Sequence, residues 1–383
     1  MASSPKVRLM RSGAEVIVIG GGIIGTSVAY FAAKRGFKVT VLERSSLASG
    51  ASGSCDGTLF LQTKNPGPHL EMAIKSLALY HALKDELGYN VEYEPKGGMC
   101  LIENEEQAVL MRHTLEKQRQ SGLKVELLDI KQAREIEPLL GEHLWGATYC
   151  AADTQANPLL VTRAFAGAAR KFGAEVRLGV AVTDLLLEGG RVRGVQTDKG
   201  PVYGDCVVNA AAVWAPMLTK KHGYEPPIIP RRGQILVTEP LPPKTVRHLL
   251  LCACYLTAKH HPELLNMEQR QHRLGVGLIV EQTVSGGLLL GSTREFVGFD
   301  RRTTQDGIAA IAEHIYTSMP ALGRFNVVRT FAGLRPRTPD GMPILGPVEA
   351  LPGLLMAAGH EGDGIALAPI TGEILANHLA TMN

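Results

Sequence analysis

Residues 15–44 read EVIVIGGGIIGTSVAYFAAKRGFKVTVLER, and this stretch decides the fold. The β-branched run 16–19 predicts a buried strand, and it leads into glycines 20–22 and Gly25, which complete the pattern GxGxxG. A helix from Ile23 to about residue 35 and a second strand over 38–42 are expected to follow. Strand, glycine turn, helix and strand in this order predict a Rossmann unit that binds a dinucleotide.

Each glycine of the turn has a mechanical role. Gly20 makes the tight turn, Gly22 lets the backbone approach a pyrophosphate, and Gly25 lets the helix pack closely on the strand. The helix N-terminus offers unpaired N–H groups and a positive dipole end to the phosphates. Glu43 ends the second strand, where a carboxylate binds ribose hydroxyls, and it favours an adenosine without a 2′-phosphate.

The composition is that of a soluble globular protein with a large core. The chain has 383 residues, 45% of them hydrophobic, which is enough for roughly two domains. Forty basic residues oppose 37 acidic ones, and no block of like charge stands out. Neither nucleic acid nor an anionic membrane surface is therefore expected as a partner.

The cysteines and the apolar stretches predict a cytoplasmic protein. The six cysteines include one CxC pair and no CxxC pair, so we expect reduced thiols and no metal centre. His260, His261 and His272 lack acidic partners at ordered spacing and predict an exposed loop. No stretch approaches the roughly 18 apolar residues of a membrane span. Basic residues before the apolar run 16–19 resemble the start of an export signal, but the βαβ pattern explains that run better. Residues 1–13 are expected to form a loose leader.

Three later segments are candidates for ligand contact. The glycine- and serine-rich loop 44–57 lies at the carboxyl end of the second strand, although a solvated connector is the alternative. The strand 206–210 ends in small residues, which indicates either close approach of a ligand or a packed core strand. The turn GHEGDG, 359–364, precedes a helix whose N-terminus could face the same crevice. From about residue 226, alternating strands predict an antiparallel sheet.

These motifs together carry a resemblance to a known family. GGGIIG, the ASG loop, VVNAAAVWA, GLRPRTPDGMPILG and GHEGDGIALAPITGE resemble the D-amino acid oxidase superfamily of FAD enzymes, with its glycine oxidases, sarcosine oxidases and D-amino acid dehydrogenases. EQTVSGGLLLGSTREFVGFD is most similar to catalytic FAD subunits of opine oxidase, hydrogen cyanide synthase and proline or hydroxyproline dehydrogenase complexes. The resemblance implies an α/β fold: a Rossmann-type FAD-binding domain (14–88, 145–222 and 330–383) and an α+β substrate domain built on a mainly antiparallel sheet (89–144 and 223–329).

The resemblance also implies the cofactor and its contacts. FAD is expected to be non-covalent, because no cysteine follows Cys254 to anchor it. The residues expected to contact it come from six parts of the chain: Gly20, Gly22, Ile24 and Gly25; Glu43 and Arg44; Ser52, Gly53 and Gly57; Val182; Ala210, Ala211 and Trp214; and Gly333, Gly359, Gly362, Asp363, Gly364 and Ile365.

Arg335 and His360 are the expected catalytic residues. Arg335 would bind the substrate carboxylate with its guanidinium fork, unless it pairs with a structural acid such as Asp340. The chain departs from the family pattern at Gly362, where glycine oxidases carry an arginine, and at Ala212, where glycine is common. A second carboxylate contact would then come from one of four other arginines, which are Arg231, Arg232, Arg294 and Arg337.

The implied reaction is FAD-dependent oxidation of an amino acid or N-substituted amino acid. A hydride would pass from Cα–H to flavin N5, giving an imine that hydrolyses. The resemblance implies a small amino-acid or opine-like substrate and partner redox subunits, or a dye, as electron acceptor. An oxygen-using oxidase is the alternative. An NAD(P)H-dependent reductase is disfavoured because a second GxGxxG and a CxxxxC are missing, and a flavin-holding subunit without chemistry remains a third possibility.

Overall fold

The structure is a computed structural model that describes residues 13–260 and 266–381. Its strands are β1 (Glu15–Ile19), β2 (Lys38–Glu43), β3 (Thr58–Leu59), β4 (Gly98–Ile102), β5 (Glu126–Asp129), β6 (Gly146–Cys150), β7 (Thr154–Gln155), β8 (Glu175–Leu178), β9 (Val182–Glu188), β10 (Arg191–Thr197), β11 (Gly200–Tyr203), β12 (Cys206–Asn209), β13 (Ile229–Thr238), β14 (Leu249–Cys252), β15 (Ile279–Gln282), β16 (Leu288–Gly291), β17 (Val327–Arg337), β18 (Ile344–Pro347) and β19 (Leu354–Ala358).

Its α-helices are α1 (Ile23–Lys34), α2 (Pro68–Glu86), α3 (Glu105–Gln120), α4 (Ile130–Ile136), α5 (Pro158–Lys171), α6 (Ala215–Thr219), α7 (Ala253–His260), α8 (Arg270–Arg273), α9 (Gln305–Ser318) and α10 (Gly364–Thr381). Within the described ranges, no helix is both long and apolar enough to cross a membrane.

The first sheet is the predicted Rossmann unit. Its six strands run in the order β18-β19-β12-β1-β2-β8, and β1 pairs in parallel with β2 and β12. α1 packs between the sheet, α5 and α10, and it buries Tyr30 and Phe31 against Phe165. β8 pairs in parallel with β2 at the edge of this sheet, and the antiparallel run β9-β10-β11 follows as a separate sheet.

The second sheet has eight strands in the order β17-β13-β16-β15-β14-β4-β6-β5. All neighbours are antiparallel except β14 and β4, which confirms the predicted fold class. β6 and β17 belong to this sheet although the predicted ranges assign residues 145–150 and 330–337 to the first domain. β6 lies between β4 and β5 and pairs with both, and β17 pairs with β13 along its whole length. The exact division into two domains stays a prediction.

The expectation of six reduced cysteines is wrong for two of them. Cys252 and Cys254 form a disulfide, with Cα atoms 5.1 Å apart. The bond forms where the extended backbone of β14 changes to the helix α7, which brings the two side chains together. His314 Nε2 lies 3.8 Å from Cys254 Sγ. The other four cysteines are free thiols.

The predicted histidine loop is only partly described. His260 is the last residue of α7, and His272 lies in α8, where its Nδ1 accepts the N–H of Asn266 at 3.0 Å. These two residues therefore lie in helices rather than in a loop. His261 lies outside the described residues.

Candidate active site

One large cavity, with a volume of about 400 Å³, lies where the two sheets meet. The first sheet contributes the glycine turn after β1, the end of β2 and the residues that follow β12 and β19. The second sheet contributes residues of β13, β14, β15 and β17. The loop that follows β2 forms part of the wall between them. The volume falls in the range of cofactor and substrate sites.

The glycine turn leaves the N-terminus of α1 open to the cavity. Gly20 adopts φ +107°, and a Cβ there would lie 2.7 Å from the carbonyl oxygen of Ala210. A Cβ at Gly25 would collide with the carbonyl oxygen of Gly20, so the helix can cross the strand closely only without one. At Gly22 the nearest atom to a Cβ is Ser52 Oγ at 3.1 Å. This space above the helix N-terminus suits a pyrophosphate.

Glu43 lies beneath the same turn. One carboxylate oxygen accepts the N–H of Gly21 at 2.7 Å, and the other accepts the N–H of Ser45 at 2.8 Å. Next to it, Arg44 stacks on Trp214, with its guanidinium carbon 4.0 Å from the ring centroid. Glu43, Arg44 and Trp214 all line the cavity. The acid therefore fixes the turn as well as facing the proposed ribose position.

Most of the predicted contacts line this one cavity. They are Gly20, Gly22, Ile24, Glu43, Arg44, Ser52, Val182, Ala210, Ala211, Trp214, Gly333, Arg335, His360, Gly362, Asp363, Gly364 and Ile365. Residues more than 300 positions apart in sequence thus meet at one site. The N-termini of α1 and α10 both reach it, so the residues present fit a dinucleotide that carries phosphates at one end and an electron-accepting ring at the other.

Four predicted cofactor contacts, Gly25, Gly53, Gly57 and Gly359, do not line the cavity. Gly25 packs on Gly20, and a Cβ at Gly53 would collide with the carbonyl oxygen of Ala48. The N–H of Gly57 donates to the carboxylate of Glu281 at 2.6 Å. Gly359 has φ +86°, and a Cβ there would lie 2.6 Å from Thr338 Cγ2. These glycines shape the backbone around the cavity.

Arg335 projects from β17 into the cavity. Its Nη1 donates to the carbonyl oxygen of Thr293 at 3.0 Å, and its Nη2 donates to Ser292 Oγ at 2.7 Å. Both partners are uncharged. Asp340, the alternative partner considered from sequence, instead accepts the N–H of Met342 at 3.0 Å. The guanidinium is thus oriented by neutral groups and keeps its charge available for an anionic ligand.

His360 is buried and bonded to α10. Its Nε2 lies 2.9 Å from Thr371 Oγ1. Burial lowers the pKa of His360 to about 3 despite the opposing charge of Asp363. The imidazole is therefore neutral near pH 7 and cannot supply a positive charge. Its contact with Thr371 indicates that it holds the turn 359–364 against the helix.

Sequence reasoning missed a buried charged cluster beside this turn. Lys64 Nζ lies 2.8 Å from one oxygen of Asp363, and His69 Nε2 lies 3.3 Å from the other. Lys64 also donates to the carbonyl oxygen of Phe60 at 2.7 Å. Lys64 and Asp363 both line the cavity and are each 3% exposed. Their 299-residue separation gives no local pattern, so only the fold reveals the pair.

Two neighbours of the cavity adopt a backbone conformation that favours glycine. Ala212, where the family pattern commonly has glycine, has φ +50°, and Glu361 also has φ +50°. Ala212 follows the strand β12, and Glu361 lies in the turn before α10, where it forms a buried ion pair with Arg231. Strained residues of this kind cluster at functional sites, where the surrounding structure holds them.

The family follows from a comparison with known proteins. A family model described as "DAO: FAD dependent oxidoreductase" matches residues 15–378. The chain belongs to this family. The FAD dependence implied by the sequence motifs is therefore confirmed.

Relatives within the DAO family match along nearly the whole chain. The hydrogen cyanide synthase subunit HcnC of Pseudomonas aeruginosa is 30% identical, over 94% of this chain and 91% of the relative. Glycine oxidase of Bacillus licheniformis is 30% identical, over 96% and 93%. The crystal structure of L-proline dehydrogenase from P. horikoshii shares the fold with a TM-score of 0.85 at 28% identity, covering 96% of this chain and 93% of that one.

Proposed function

We propose that this FAD-dependent oxidoreductase oxidises an α-amino acid or an N-substituted amino acid at its Cα–N bond. The observation that carries the proposal is the guanidinium of Arg335, which lies in the cavity and whose hydrogen-bond partners among the described residues are the uncharged Ser292 and Thr293. A carboxylate is the group whose geometry matches a guanidinium fork. Relatives named glycine oxidase and L-proline dehydrogenase fit the same substrate class.

The residues around the cavity divide into two groups by role. Gly20, Gly22 and the N-terminus of α1 would hold the pyrophosphate, and Glu43 would hold the ribose. The turn 359–364 and the N-terminus of α10 would lie against the flavin ring. When bound there, FAD would supply an electron-accepting ring for the hydride that leaves the substrate's Cα, and water would hydrolyse the resulting imine. We propose that this FAD is held non-covalently.

Arg335 would contribute by positioning rather than by acid–base chemistry. Holding the carboxylate fixes the substrate so that its Cα–H faces the flavin, and such orientation can supply much of the rate. His360 is neutral and bonded to Thr371, so a positioning role for the turn 359–364 fits it better than the catalytic role expected from sequence. Lys64 would hold the same turn through Asp363.

We further propose that the electrons pass to partner redox subunits in a hetero-oligomer. HcnC is by name a subunit of hydrogen cyanide synthase. Exposed apolar side chains lie together on the loop after β16, where Phe296 is 60% and Phe299 43% exposed. Phe299 stacks on Trp214, which lines the cavity, so this surface is close to the cofactor site. Use of oxygen, as in the relatives named glycine oxidase, is the second candidate.

The experiment that tests the function is anaerobic bleaching of the purified, flavin-loaded protein. Glycine, sarcosine, proline, hydroxyproline, D-amino acids and opines are added singly, and loss of flavin absorbance is followed. We expect bleaching by at least one of them and reoxidation by an artificial dye faster than by air. Peroxide production at the rate of dye reduction would make the protein an oxidase. No bleaching by any amino acid or N-substituted amino acid would overturn the proposal.

A further inference from the structure

Cys252, Cys254 and His314 form a compact cluster of metal-ligating side chains outside the large cavity. Cys252 Sγ, Cys254 Sγ and His314 Nε2 all lie within 4.8 Å of one another. His314 Nε2 lies 3.8 Å from Cys254 Sγ and 2.6 Å from Glu103 Oε1. The cluster therefore combines two sulfurs, one imidazole nitrogen and one carboxylate oxygen.

The second sheet brings these side chains together. Cys252 ends β14 and Cys254 lies in the first turn of α7, whereas Glu103 directly follows β4. Because β14 and β4 pair in parallel, their carboxyl ends lie at the same edge of the sheet. His314 reaches this edge from α9. The CxC spacing alone does not indicate the cluster, since Glu103 and His314 are 211 residues apart.

The ligand types and their spacing fit Zn²⁺. Thiolate and imidazole are the ligands that Zn²⁺ prefers in tetrahedral sites. With sulfur about 2.3 Å and nitrogen about 2.0 Å from the metal, neighbouring ligand atoms are about 3.3–3.8 Å apart. The 3.8 Å between Cys254 Sγ and His314 Nε2 agrees with this spacing. Glu103 Oε1, on the other side of the same nitrogen, is placed to act as the fourth ligand.

Cys252 Sγ lies in an environment that suits a thiolate. It accepts the backbone N–H of Tyr255 at 3.2 Å and that of Leu278 at 3.1 Å. Donors directed at a sulfur favour its charged form and orient it as a ligand. An uncharged disulfide sulfur gains less from them, because hydrogen bonds to charged groups are the stronger ones. The surroundings of Cys252 therefore fit a metal ligand better than a disulfide sulfur.

A purely structural disulfide is the competing explanation. The bond joins residues two positions apart, so it closes a very short loop. Such a bond constrains the unfolded chain less than one between distant residues, and it therefore stabilises the fold less. Cys254 and His314 are only partly buried, so a reductant and a metal have access to the cluster. A bond of this kind is better suited to be opened than to hold the fold.

We propose that Cys252, Cys254, His314 and Glu103 form a Zn²⁺ site that exists only when the two cysteines are reduced. A dithiol transfers two electrons and two protons to the disulfide and is itself oxidised to a disulfide, which leaves two thiols on the chain. Zn²⁺ binds both sulfurs as thiolates and two protons are released. The metal takes the place of the proton on His314 Nε2, and the imidazole then carries its proton on Nδ1.

The test compares metal binding by the reduced and the oxidised forms of the flavin-loaded full chain. One sample is treated with a dithiol, and both samples are then freed of reagents without air. Zn²⁺ content after dialysis is measured by elemental analysis. Co²⁺ is titrated in parallel, because thiolate-bound Co²⁺ absorbs at longer wavelengths than oxidised flavin. The variants are Cys254→Ser, His314→Gln and, as a matched control, His113→Gln, which changes an exposed histidine of α3.

We expect about one Zn²⁺ per reduced wild-type chain and less than about a tenth as much in the oxidised chain. Thiolate-bound Co²⁺ should be seen only after reduction, and Zn²⁺ should raise the Tm of the reduced form alone. Cys254→Ser and His314→Gln should each weaken Zn²⁺ binding at least about tenfold, whereas His113→Gln should bind as the wild type does.

Three results would overturn the inference: no Zn²⁺ in the reduced wild type, equal Zn²⁺ in the reduced and oxidised forms, or wild-type affinity in both ligand variants. The first two comparisons use the wild type alone, so they decide the matter even if a variant fails to fold. The Zn²⁺ site is independent of the proposed amino-acid oxidation, because none of its four residues lines the large cavity.

Discussion

The guanidinium of Arg335 lies over Gly233 of the neighbouring strand, in the space that a side chain at that position would fill. β13 and β17 pair so that Arg231 faces Arg335, and the arginine side chain crosses to the glycine two residues along. Ser292 and Thr293 then hold its far end. The absence of a Cβ at Gly233 thus fixes where the proposed carboxylate contact can be made.

Arg335→Ala should therefore lower kcat/KM for the best substrate by about thirty- to a thousand-fold, or roughly 2–4 kcal/mol. Arg335→Lys should not restore activity fully, because an ammonium cannot make the two-pronged contact. Steady-state kinetics with a dye acceptor measure both. Arg329→Ala on the same strand, which changes an exposed residue, is the control. If Arg335→Ala bleaches at the wild-type rate with subsaturating substrate, the assignment is wrong.

Gly233→Ala provides an independent check of the same geometry. A methyl group would collide with the Arg335 guanidinium, so the arginine must move away from its partners Ser292 and Thr293. We expect KM to rise at least about tenfold, which corresponds to 1.4 kcal/mol, while FAD content stays at the wild-type level. An unchanged KM would show that Arg335 is not held in the position described here.

Replacing Gly22 with valine should abolish FAD retention. The larger side chain would occupy the space above the N-terminus of α1, where the pyrophosphate is proposed to lie. Purified wild-type protein should be yellow and release intact FAD on acid precipitation, whereas the variant should retain less than about a tenth as much, a loss of 1.4 kcal/mol or more. Far-UV circular dichroism controls for folding. A folded Gly22→Val protein with full FAD content would contradict the site.

Glu281 should make stability pH-dependent. It is 3% exposed, and its burial raises the pKa of the carboxyl to about 8 from an ordinary 4.5. Because the folded-state pKa is raised, its contribution to stability is complete below pH 4.5 and is lost as the pH rises through 8. Glu281→Gln should abolish that loss. As the pH rises from 5 to 9, the free energy of unfolding of the variant should therefore increase by on the order of 2–4 kcal/mol relative to that of the wild type. Tm measured at both pH values tests this, with exposed Glu268→Gln as control.

Ala212→Gly should stabilise the protein, because Ala212 has φ +50° and glycine adopts this conformation without a steric penalty. We expect a gain of about 0.5–1 kcal/mol in the free energy of unfolding. Its neighbour Ala211 has φ −80°, so Ala211→Gly should instead destabilise by a similar amount, because glycine has more freedom in the unfolded chain. Denaturant titration of both variants distinguishes these effects. A loss of stability in both would mean that Ala212 is not strained.

Much of the fold was predictable because its signals are local. The strand–glycine–helix order over residues 15–44 fixed the Rossmann unit, and α1 and β2 begin at the predicted residues. The parallel pairing of β8 was not predictable, since its short exposed sequence resembles an antiparallel hairpin strand and only the edge of β2 determines its partner. The Cys252–Cys254 disulfide was missed because the spacing alone does not show that β14 changes to α7 between the two residues.

By itself the sequence determined the position of the phosphate-binding turn, because a few glycines and one acid in a fixed order suffice for it. The family and the cofactor followed from several motifs along the chain taken together. Only the tertiary structure decided which arginines have no acidic partner within residues 13–260 and 266–381. Arg231 is paired with Glu361, and His360 is neutral and bonded to Thr371, whereas Arg294 and Arg335 remain oriented by uncharged groups. Ion pairs join residues that are distant in sequence. The net charge at the site therefore depends on which acidic and basic side chains lie close together in the folded chain.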